Sequence, residues 1–423
     1  MSCHRLVPLV IAAVLFFSLP APVSAAPASD KKVLNVCEQA KPDLIKTMET
    51  LVNMDSGTDD YPELLAKQAF LEKELKRLGA EVKIVPAPAP REGTNNLVAT
   101  WKGQGKARIM YMGHYDTVWP AGTAKERPFS IKDNIAYGPG VADMQGNLST
   151  MLTLVDILVN KLQEKNFAVM TMVLNADEEK GSFGSRDLIM ELAARHDVVY
   201  SFEGGGPKGD SVISSARGIG YYRMHVKGRE SHSGVAPEKG VNAGYEMAHQ
   251  MLRMRDLSNK ELGTDVNWTI GQFGTKSNVI PGAAWAEANI RIAKMAEFDR
   301  IEKDMLERIK DKLLPESEIS MDFRRGRPPF EKNPITDALA DKATQVYKSE
   351  LGLELKPRAS GGGTDANYSS QKAPTLEGCG LACTNYHALD EQLDLDSIVP
   401  RLYLLVRLSQ ETMKGGIVPL KNE

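Results

Sequence analysis

Hydrophobic and polar residues recur along the chain with two periods, one typical of helices and one typical of strands. Apolar residues are spaced as in helices over 62–78, 147–162, 185–195, 335–351 and 397–414. Strand-like alternation or short apolar runs cover five further segments: 81–85, 96–101, 108–112, 168–174 and 198–202. Because strands and helices alternate, this part of the chain predicts an α/β fold.

A different order of elements begins near residue 217. The predicted order is strand, helix, strand, strand, helix, strand, over 221–227, 241–254, 266–273, 284–292, 298–313 and 318–323. This is the ferredoxin-like order. We therefore predict an α/β main domain made of 26–216 and 327–423, with a ferredoxin-like α+β domain, 217–326, inserted into it.

The first 25 residues have the pattern of a secretory signal peptide. Arg5 supplies the positive charge, residues 6–19 are mostly apolar, and Val-Ser-Ala at 23–25 suits a cleavage site. A membrane anchor is the weaker alternative, because Pro8 and Pro20 interrupt a run that is short for a bilayer span. We expect a periplasmic or secreted protein with no membrane attachment after cleavage.

The charge balance and the cysteine content limit the binding partners, disulfides and thiolate metal sites that the sequence supports. The chain has 52 basic and 55 acidic residues, so it lacks the basic excess of proteins that bind nucleic acid or anionic membranes. Cleavage would leave Cys37, Cys379 and Cys383. An exported chain permits a disulfide between Cys379 and Cys383, but three free thiols are equally compatible with the sequence. No Cys-x-x-Cys spacing indicates a thiolate zinc site.

Two imidazoles and five carboxylates form the most informative set in the sequence. They are His114, Asp116, Asp143, Glu178, Glu179, Glu203 and His387. Several of them directly follow predicted strands, and the carboxyl ends of strands are where α/β sheets bind ligands. Imidazole and carboxylate groups bind zinc, and a spare carboxylate can act as a base. The ordered set therefore predicts metal-dependent hydrolysis.

The local sequence suggests a separate chemical role for several of these residues. Asp143 lies in a glycine-rich turn, where the backbone can approach two metals closely, so it is the best candidate for a bridging ligand. Asp116 follows His114 by two residues and can orient its imidazole. Glu178 and Glu179 are adjacent and point in different directions, so that one can bind metal while the other transfers protons. Any of these residues alone would be more typical of a turn or a surface.

Other hydrolytic and binding functions fit less well. No GxSxG elbow indicates a serine hydrolase, and no GxGxxG follows a predicted strand. A non-catalytic binding protein would lack one of the seven residues, and all are present. His232, in the polar turn 230–234 of the inserted domain, could donate to an oxyanion, although a surface histidine is as common there.

The order of these motifs resembles the zinc-dependent M20 metallopeptidases over nearly the whole chain after the signal. The motifs most resemble the glutamate carboxypeptidase branch, of the carboxypeptidase G or glucarpidase type: YGPGVAD (137–143), NADEEKGSFGSRDLI (175–189), SHSGVAPEKGVNA (231–243), RGRPPF (325–330) and GGGTDA (361–366). The resemblance implies a zinc-peptidase catalytic domain. It also implies that the inserted domain forms a homodimer and closes over the site.

The resemblance implies two Zn2+ ions per subunit. His114, Asp143 and Glu203 would bind one ion, and Asp143, Glu179 and His387 would bind the other. A cis peptide bond would follow Asp143. Small peptides or N-acyl amino acids would be the substrates.

The resemblance also implies the remaining roles in catalysis and substrate binding. Glu178 would be the general base, Asp116 would support His114, His232 would stabilise the oxyanion from the partner subunit, Asn278 and Arg291 would hold the α-carboxylate, and Gly362 and Gly363 would offer backbone contacts. The stretch after Glu203 departs from the glutamate branch. Lys208 could receive a glutamate side chain, but Ser211 stands where a lysine is expected, and Arg217 or Arg223 could substitute.

The sequence thus predicts an exported dizinc metallo-carboxypeptidase. It would hydrolyse the amide bond to a C-terminal amino acid, glutamate foremost, in N-acyl, peptide or folate-like substrates. An aminoacylase or dipeptidase of the same family is the alternative, and residues 204–223 would decide between them.

Overall fold

A six-stranded sheet forms the centre of the main domain in the computed structural model, which describes residues 28–421. The predicted signal peptide lies outside the described residues. In spatial order the strands are Glu81–Pro86, Asn95–Lys102, Val169–Asn175, Arg108–His114, Val198–Ser201 and Thr375–Leu376. The last four are parallel, and the first two are antiparallel to their neighbours. The carboxyl ends of the parallel strands therefore meet at one edge.

Helices cover both faces of this sheet. The larger core lies beneath the helices Lys31–Val52, Gly146–Asp156 and Ile398–Met413, and a smaller core lies beneath Arg186–Ala194 and Ala366–Ser369 on the opposite face. The predicted helices at 62–78 and 335–351 are present as Tyr61–Arg77 and Pro334–Val346, the latter continued by Tyr347–Leu351. Helix Lys31–Val52 was not predicted. Pro42 lies inside it, and its side-chain cap, Asp30, is five residues beyond the end of the segment interpreted as a signal.

Two small sheets flank the main one, and neither was predicted. Ser211–Ala216 pairs in parallel with Lys356–Ser360. The other sheet has four short antiparallel strands in the order Ala382–Thr384, Gln392–Asp394, Ile135–Tyr137 and Ser130–Lys132. It places the turn 138–143 beside the loop 385–391. Cys37, Cys379 and Cys383 are all free and buried, so the disulfide alternative is not realised.

The inserted domain has the predicted ferredoxin-like arrangement. Its antiparallel strands lie in the order Asp265–Phe273, Ala283–Ile292, Gly218–Lys227 and Glu318–Arg325. Helices Ala243–Arg253 and Ala296–Arg308 pack on one face and build a separate core with it. The other face is open and polar, and a short hairpin pairs Ser231–His232 with Val279–Ile280. The predicted fold class is therefore confirmed. No helix among residues 28–421 combines the length and apolar character needed to span a bilayer.

Candidate active site

Three parallel strands bring predicted residues to the same edge of the main sheet. His114 is the last residue of the central strand Arg108–His114. The turn that carries Glu178 and Glu179 follows Val169–Asn175, and Glu203 follows Val198–Ser201. These strands are apolar because they are buried on both faces, so the polar residues that follow them mark where the chain leaves the core.

The small four-stranded sheet supplies the other two predicted ligands. Strand Ile135–Tyr137 leads into the turn that ends at Asp143, and His387 lies in the loop between Ala382–Thr384 and Gln392–Asp394. His387 has a φ of 60°, in the left-handed region that side chains other than glycine seldom occupy. The peptide bond between Asp143 and Met144 is cis, as the resemblance implied.

Asp143 lies between the two histidines and contacts each with a different carboxylate oxygen. Its Oδ1 lies 3.1 Å from His114 Nε2, and its Oδ2 lies 3.1 Å from His387 Nε2. Glu203 Oε1 lies 3.4 Å from His114 Nε2, and Glu179 Oε2 lies 3.2 Å from His387 Nε2. Two three-residue groups therefore share one carboxylate, which is the arrangement of a bridged pair of metal ions.

Bound metal ions explain the arrangement of these donor atoms better than hydrogen bonds among the side chains do. Within each group the ligand atoms lie within 4.8 Å of one another. Glu179 Oε1 is buried and accepts no hydrogen bond within the described part of the chain, which is costly for a carboxylate unless a cation completes its environment. Two imidazole nitrogens with carboxylate oxygens form a donor set that zinc accepts.

Asp116 holds His114 and the turn at Glu178 and Glu179 in position through hydrogen bonds. The Nδ1 of His114 lies 3.0 Å from the Asp116 backbone oxygen and 3.3 Å from its carboxylate, so Nε2 is left to face the other ligands. The same carboxylate accepts the backbone N–H groups of Glu178 and Glu179 at 3.2 and 3.3 Å. Thr58 Oγ1 donates to it at 2.9 Å. Asp116 therefore fixes both an imidazole and the acidic turn.

The histidines carry raised pKa values while they face only carboxylates. Hydrogen bonds that His387 donates to Asp143 and to Glu179 raise the pKa of His387 to about 10. Burial lowers the pKa of His114, but Asp116, Asp143 and Glu203 outweigh it and raise this pKa well above its usual range. The charged pairs of His387 therefore stabilise the fold fully below the usual pKa of 6.5, and this stabilisation is lost as the pH rises toward about 10.

Zinc binding to chelator-treated protein should therefore release protons. The raised pKa values of both histidines favour protonated imidazoles near neutral pH, and burial also raises the pKa of the Glu203 carboxyl to about 8. These ligands must give up protons to bind metal, so we expect at least two protons released per two ions. Calorimetry in buffers of different ionisation enthalpy measures this number. A binding enthalpy that does not change with the buffer would show that no proton is released, and would contradict the raised pKa values of the two histidines in the metal-free protein.

Glu178 is held apart from the two ligand groups. Arg327 Nη2 lies 2.8 Å from Glu178 Oε1 and donates to its backbone oxygen at 2.7 Å. Arg327 Nη1 also donates to Asp365 at 3.2 Å. Burial raises the pKa of the Glu178 carboxyl well above its usual range, and Arg327 opposes this shift. A half-buried carboxylate with a raised pKa, beside a candidate metal site, is suited to proton transfer.

Two further carboxylates support the site and were missed in the sequence. Glu391 is buried and accepts the N–H groups of Gly140, Ala142 and Asp143 at 2.9–3.0 Å, together with the indole N–H of Trp119 at 2.9 Å. Glu377 accepts the N–H of Glu203 at 3.2 Å. Glu391 is four residues beyond His387 and thereby joins both ligand loops. Its spacing from His387 was the only signal available, and that spacing alone is not diagnostic.

A cleft of about 650 Å³ lies between the two domains and is lined by residues of the candidate site. Glu178, Glu179 and His387 line it from the main domain, together with Gly362 and Gly363. Arg291 lines it from the inserted domain, as do Tyr221 and Arg324. The structure therefore brings most of the predicted substrate residues to the predicted metal ligands.

Three of the residues predicted to bind substrate or stabilise the oxyanion do not line this cleft. Lys208 is exposed on the turn after Glu203. His232 and Asn278 lie together at the hairpin of the inserted domain, where the Ser233 N–H donates to the Asn278 backbone oxygen. His232 Nδ1 accepts the N–H groups of Gly234 and Val235 at 3.2 Å, which leaves the proton on Nε2.

The two ligand groups that share Asp143, at the carboxyl ends of the parallel strands, suit a metal-dependent hydrolase. The chain belongs to peptidase family M20/M25/M40, whose family model matches residues 110–411. The protein is thus a hydrolase, and the predicted family and enzyme class are confirmed.

Individual relatives agree with this assignment. The chain is 36% identical to carboxypeptidase G2 of Pseudomonas sp. (strain RS-16) over 98% of its own length and 99% of that protein. Aminopeptidase PepT of Bacillus cereus has a similar fold, with a TM-score of 0.76, 22% identity, and coverage of 88% of this chain and 98% of that one. YXEP of Bacillus subtilis, described as a dinuclear metal-binding M20 peptidase, has a TM-score of 0.63 and 14% identity, with coverage of 89% and 99%.

Proposed function

We propose that this protein is an exported dizinc metallo-carboxypeptidase that releases a C-terminal amino acid, glutamate foremost, from N-acyl, peptide or folate-like substrates. The observation that carries the proposal is the shared carboxylate of Asp143, with the half-buried Glu178 held by Arg327 in the same site. The similarity to carboxypeptidase G2 supports the carboxypeptidase reaction. Export, to the periplasm or the medium, rests on the sequence of the first 25 residues.

The residues of the chain divide the reaction between them. His114, Asp143 and Glu203 would hold one zinc ion, and Asp143, Glu179 and His387 the other. Bound zinc would supply Lewis acidity, which polarises a carbonyl and makes water a stronger acid.

Glu178 is the residue that moves the proton. Its carboxylate takes a proton from the attacking water and passes it to the nitrogen of the leaving amino acid. Arg327 holds Glu178 Oε1 at 2.8 Å, so the carboxylate keeps its place while its charge changes. Asp116 fixes the backbone of the same turn.

The inserted domain has an exposed surface that suits a homodimer. Tyr245 and Leu252 on helix Ala243–Arg253 are 67% and 65% exposed, and Ile270 and Phe273 on the edge strand are 54% and 64% exposed. Exposed apolar residues beside an unpaired strand edge favour association with a second copy. A dimer would also supply His232, whose Nε2–H can donate to an oxyanion, to the partner's active site.

Replacing Phe273 with aspartate should weaken this dimer, because a charge would be buried in the contact. Sedimentation velocity should show a shift toward monomer, with loss of turnover in proportion. Lys227→Asp, an exposed change on the same sheet, serves as the control. A fully active monomer would remove the role of His232 from the partner subunit.

Arg291→Ala should raise KM for substrates with a free α-carboxylate by about tenfold to a hundredfold, because a charge-assisted hydrogen bond is lost. Metal content should not change, since Arg291 bonds to Asn289 rather than to any ligand. Arg229→Ala is the matched control, an exposed arginine of the same domain paired with Glu316. If C-terminally amidated substrates are cleaved as well as free acids, the α-carboxylate assignment is wrong.

Release of free amino acids from a panel of N-acyl and N-benzoyl amino acids tests the proposal as a whole. Zinc-loaded protein should release glutamate fastest, and chelator-treated protein, as the control, should release none. Chelator-sensitive release of apolar amino acids instead would indicate the aminoacylase or dipeptidase alternative. No release from any substrate would favour a binding protein on the peptidase scaffold.

A further inference from the structure

Arg291 and Arg324, which line the active-site cleft from the inserted domain, have no carboxylate partner in the described part of the chain. Under the proposed function, Arg291 binds the α-carboxylate. Arg324 has no role in that scheme. It lies in strand Glu318–Arg325, and its side chain is exposed.

Arg324 belongs to a row of side chains on the open face of the inserted sheet. It stands opposite Tyr221 in the neighbouring strand, and its guanidinium carbon lies 4.8 Å from the centre of the Tyr221 ring. Tyr221 stands opposite Asn289 in the next strand, and Asn289 Oδ1 accepts the Nε–H of Arg291 at 2.9 Å. Directly opposed residues of antiparallel strands share a face. The row therefore presents both arginines to the same cleft.

Neighbouring arginines have their charge neutralised within the chain. Arg325 points to the other face, where it pairs with Glu302 at 2.7 Å and with Asp299 at 2.5 Å. Arg327 pairs with Glu178 and Asp365. Stacking on Tyr221 fixes the position of Arg324 but leaves its charge available to a ligand.

The basic residues that the sequence suggested as partners of an acidic substrate group either lie outside the cleft or are already paired with carboxylates. Lys208 does not line it. Arg217 pairs with Asp265, and Arg223 pairs with Glu287 at 2.9 Å. Arg324 is therefore the better-placed cation.

We propose that Arg324 recognises a second carboxylate on the substrate, in addition to the α-carboxylate. A guanidinium matches a carboxylate through two parallel hydrogen bonds, and the Tyr221 ring holds it ready to do so. The substrate class is then a dicarboxylic amide. The second carboxylate belongs either to the side chain of the leaving amino acid or to the acyl group. This inference rests on the proposed function and identifies the residue that sets its specificity.

Two substrate pairs separate these sources in zinc-loaded protein. N-benzoylglutamate and N-benzoylglutamine differ only in the charge of the leaving side chain, and N-succinylleucine and N-butanoylleucine differ in the charge of the acyl group. Arg324→Gln should lower kcat/KM for the acidic member of one pair by about 10- to 100-fold, and change the neutral member by less than about twofold. Arg324→Lys should restore part of the preference, since it keeps the charge but loses the planar fork.

Lys227→Gln is the matched control. It removes one exposed positive charge from the strand that carries Tyr221, at the opposite end, where Lys227 pairs with Glu318. It should change neither pair. The pair that responds to Arg324→Gln identifies where the second carboxylate lies.

Equal losses on both members of each pair, or no loss on either, would overturn the proposal. Wild-type protein that cleaves none of the four compounds would instead refute the proposed function. The same compounds would then be ligands for calorimetric titration. Preferential binding of an acidic member that disappears in Arg324→Gln would uphold the role of Arg324, and unchanged preference would refute it.

Discussion

Glu178→Gln should lower kcat by about 10²- to 10⁴-fold while two zinc ions per subunit remain bound, which is the range expected for loss of a general base. Glutamine has the same shape and can still accept the hydrogen bond from Arg327, but it takes no proton at neutral pH. Glu178 is in neither of the two ligand groups, so metal content should not change. Steady-state kinetics with metal analysis by mass spectrometry measures both quantities.

A matched control separates proton transfer from a general effect of removing charge. Glu49 is an exposed glutamate in helix Lys31–Val52, far in sequence from the site, and Glu49→Gln should have wild-type kinetics. Activity of Glu178→Gln above about one hundredth of wild type would eliminate the general-base role. Loss of zinc together with activity would show that Glu178 acts as a ligand instead.

Asp143→Ala should have the largest effect on metal content, because it removes a ligand from both groups at once. We expect bound zinc to fall from about two ions per subunit to well below one, with loss of measurable turnover. His387→Ala removes a ligand from only one group, so it should retain about one ion. The difference between these variants measures whether the carboxylate is shared.

Asp133→Asn is the control for this comparison. Asp133 lies between the strands Ser130–Lys132 and Ile135–Tyr137 of the same small sheet, with a φ of 51° that asparagine tolerates. It should bind two ions and retain activity. If Asp143→Ala and His387→Ala lose the same amount of zinc, Asp143 does not bridge two metals.

The sequence predicted those parts of the site that local patterns encode. His114 ends a strand, and Glu178–Glu179 and Glu203 follow strands, whose apolar runs are visible in the sequence, so their meeting at one edge of the sheet could be anticipated. The approach of His387 to Asp143 depends on pairing between three-residue strands more than 240 positions apart. Such short strands have no reliable periodicity, so motif resemblance rather than pattern identified His387.

Residues that act through backbone contacts or across a sheet were harder to find. Nothing near Glu391 in the sequence shows that its carboxylate will accept three backbone N–H groups of a turn about 250 residues earlier. Arg324 likewise is one of several arginines at 324–327, and only the strand register separates it from the neutralised Arg325. These assignments require the tertiary structure because burial and partner, not residue type, define the role.

Restoration of hydrolysis by zinc tests the central claim most directly. Chelator-treated protein should be titrated with zinc while glutamate release from N-benzoylglutamate is followed. The account predicts no turnover in the chelated protein, and recovery that saturates at about two zinc ions per subunit. Full turnover in the chelated protein would contradict a metal-dependent reaction, and saturation at one ion would contradict the shared site built around Asp143.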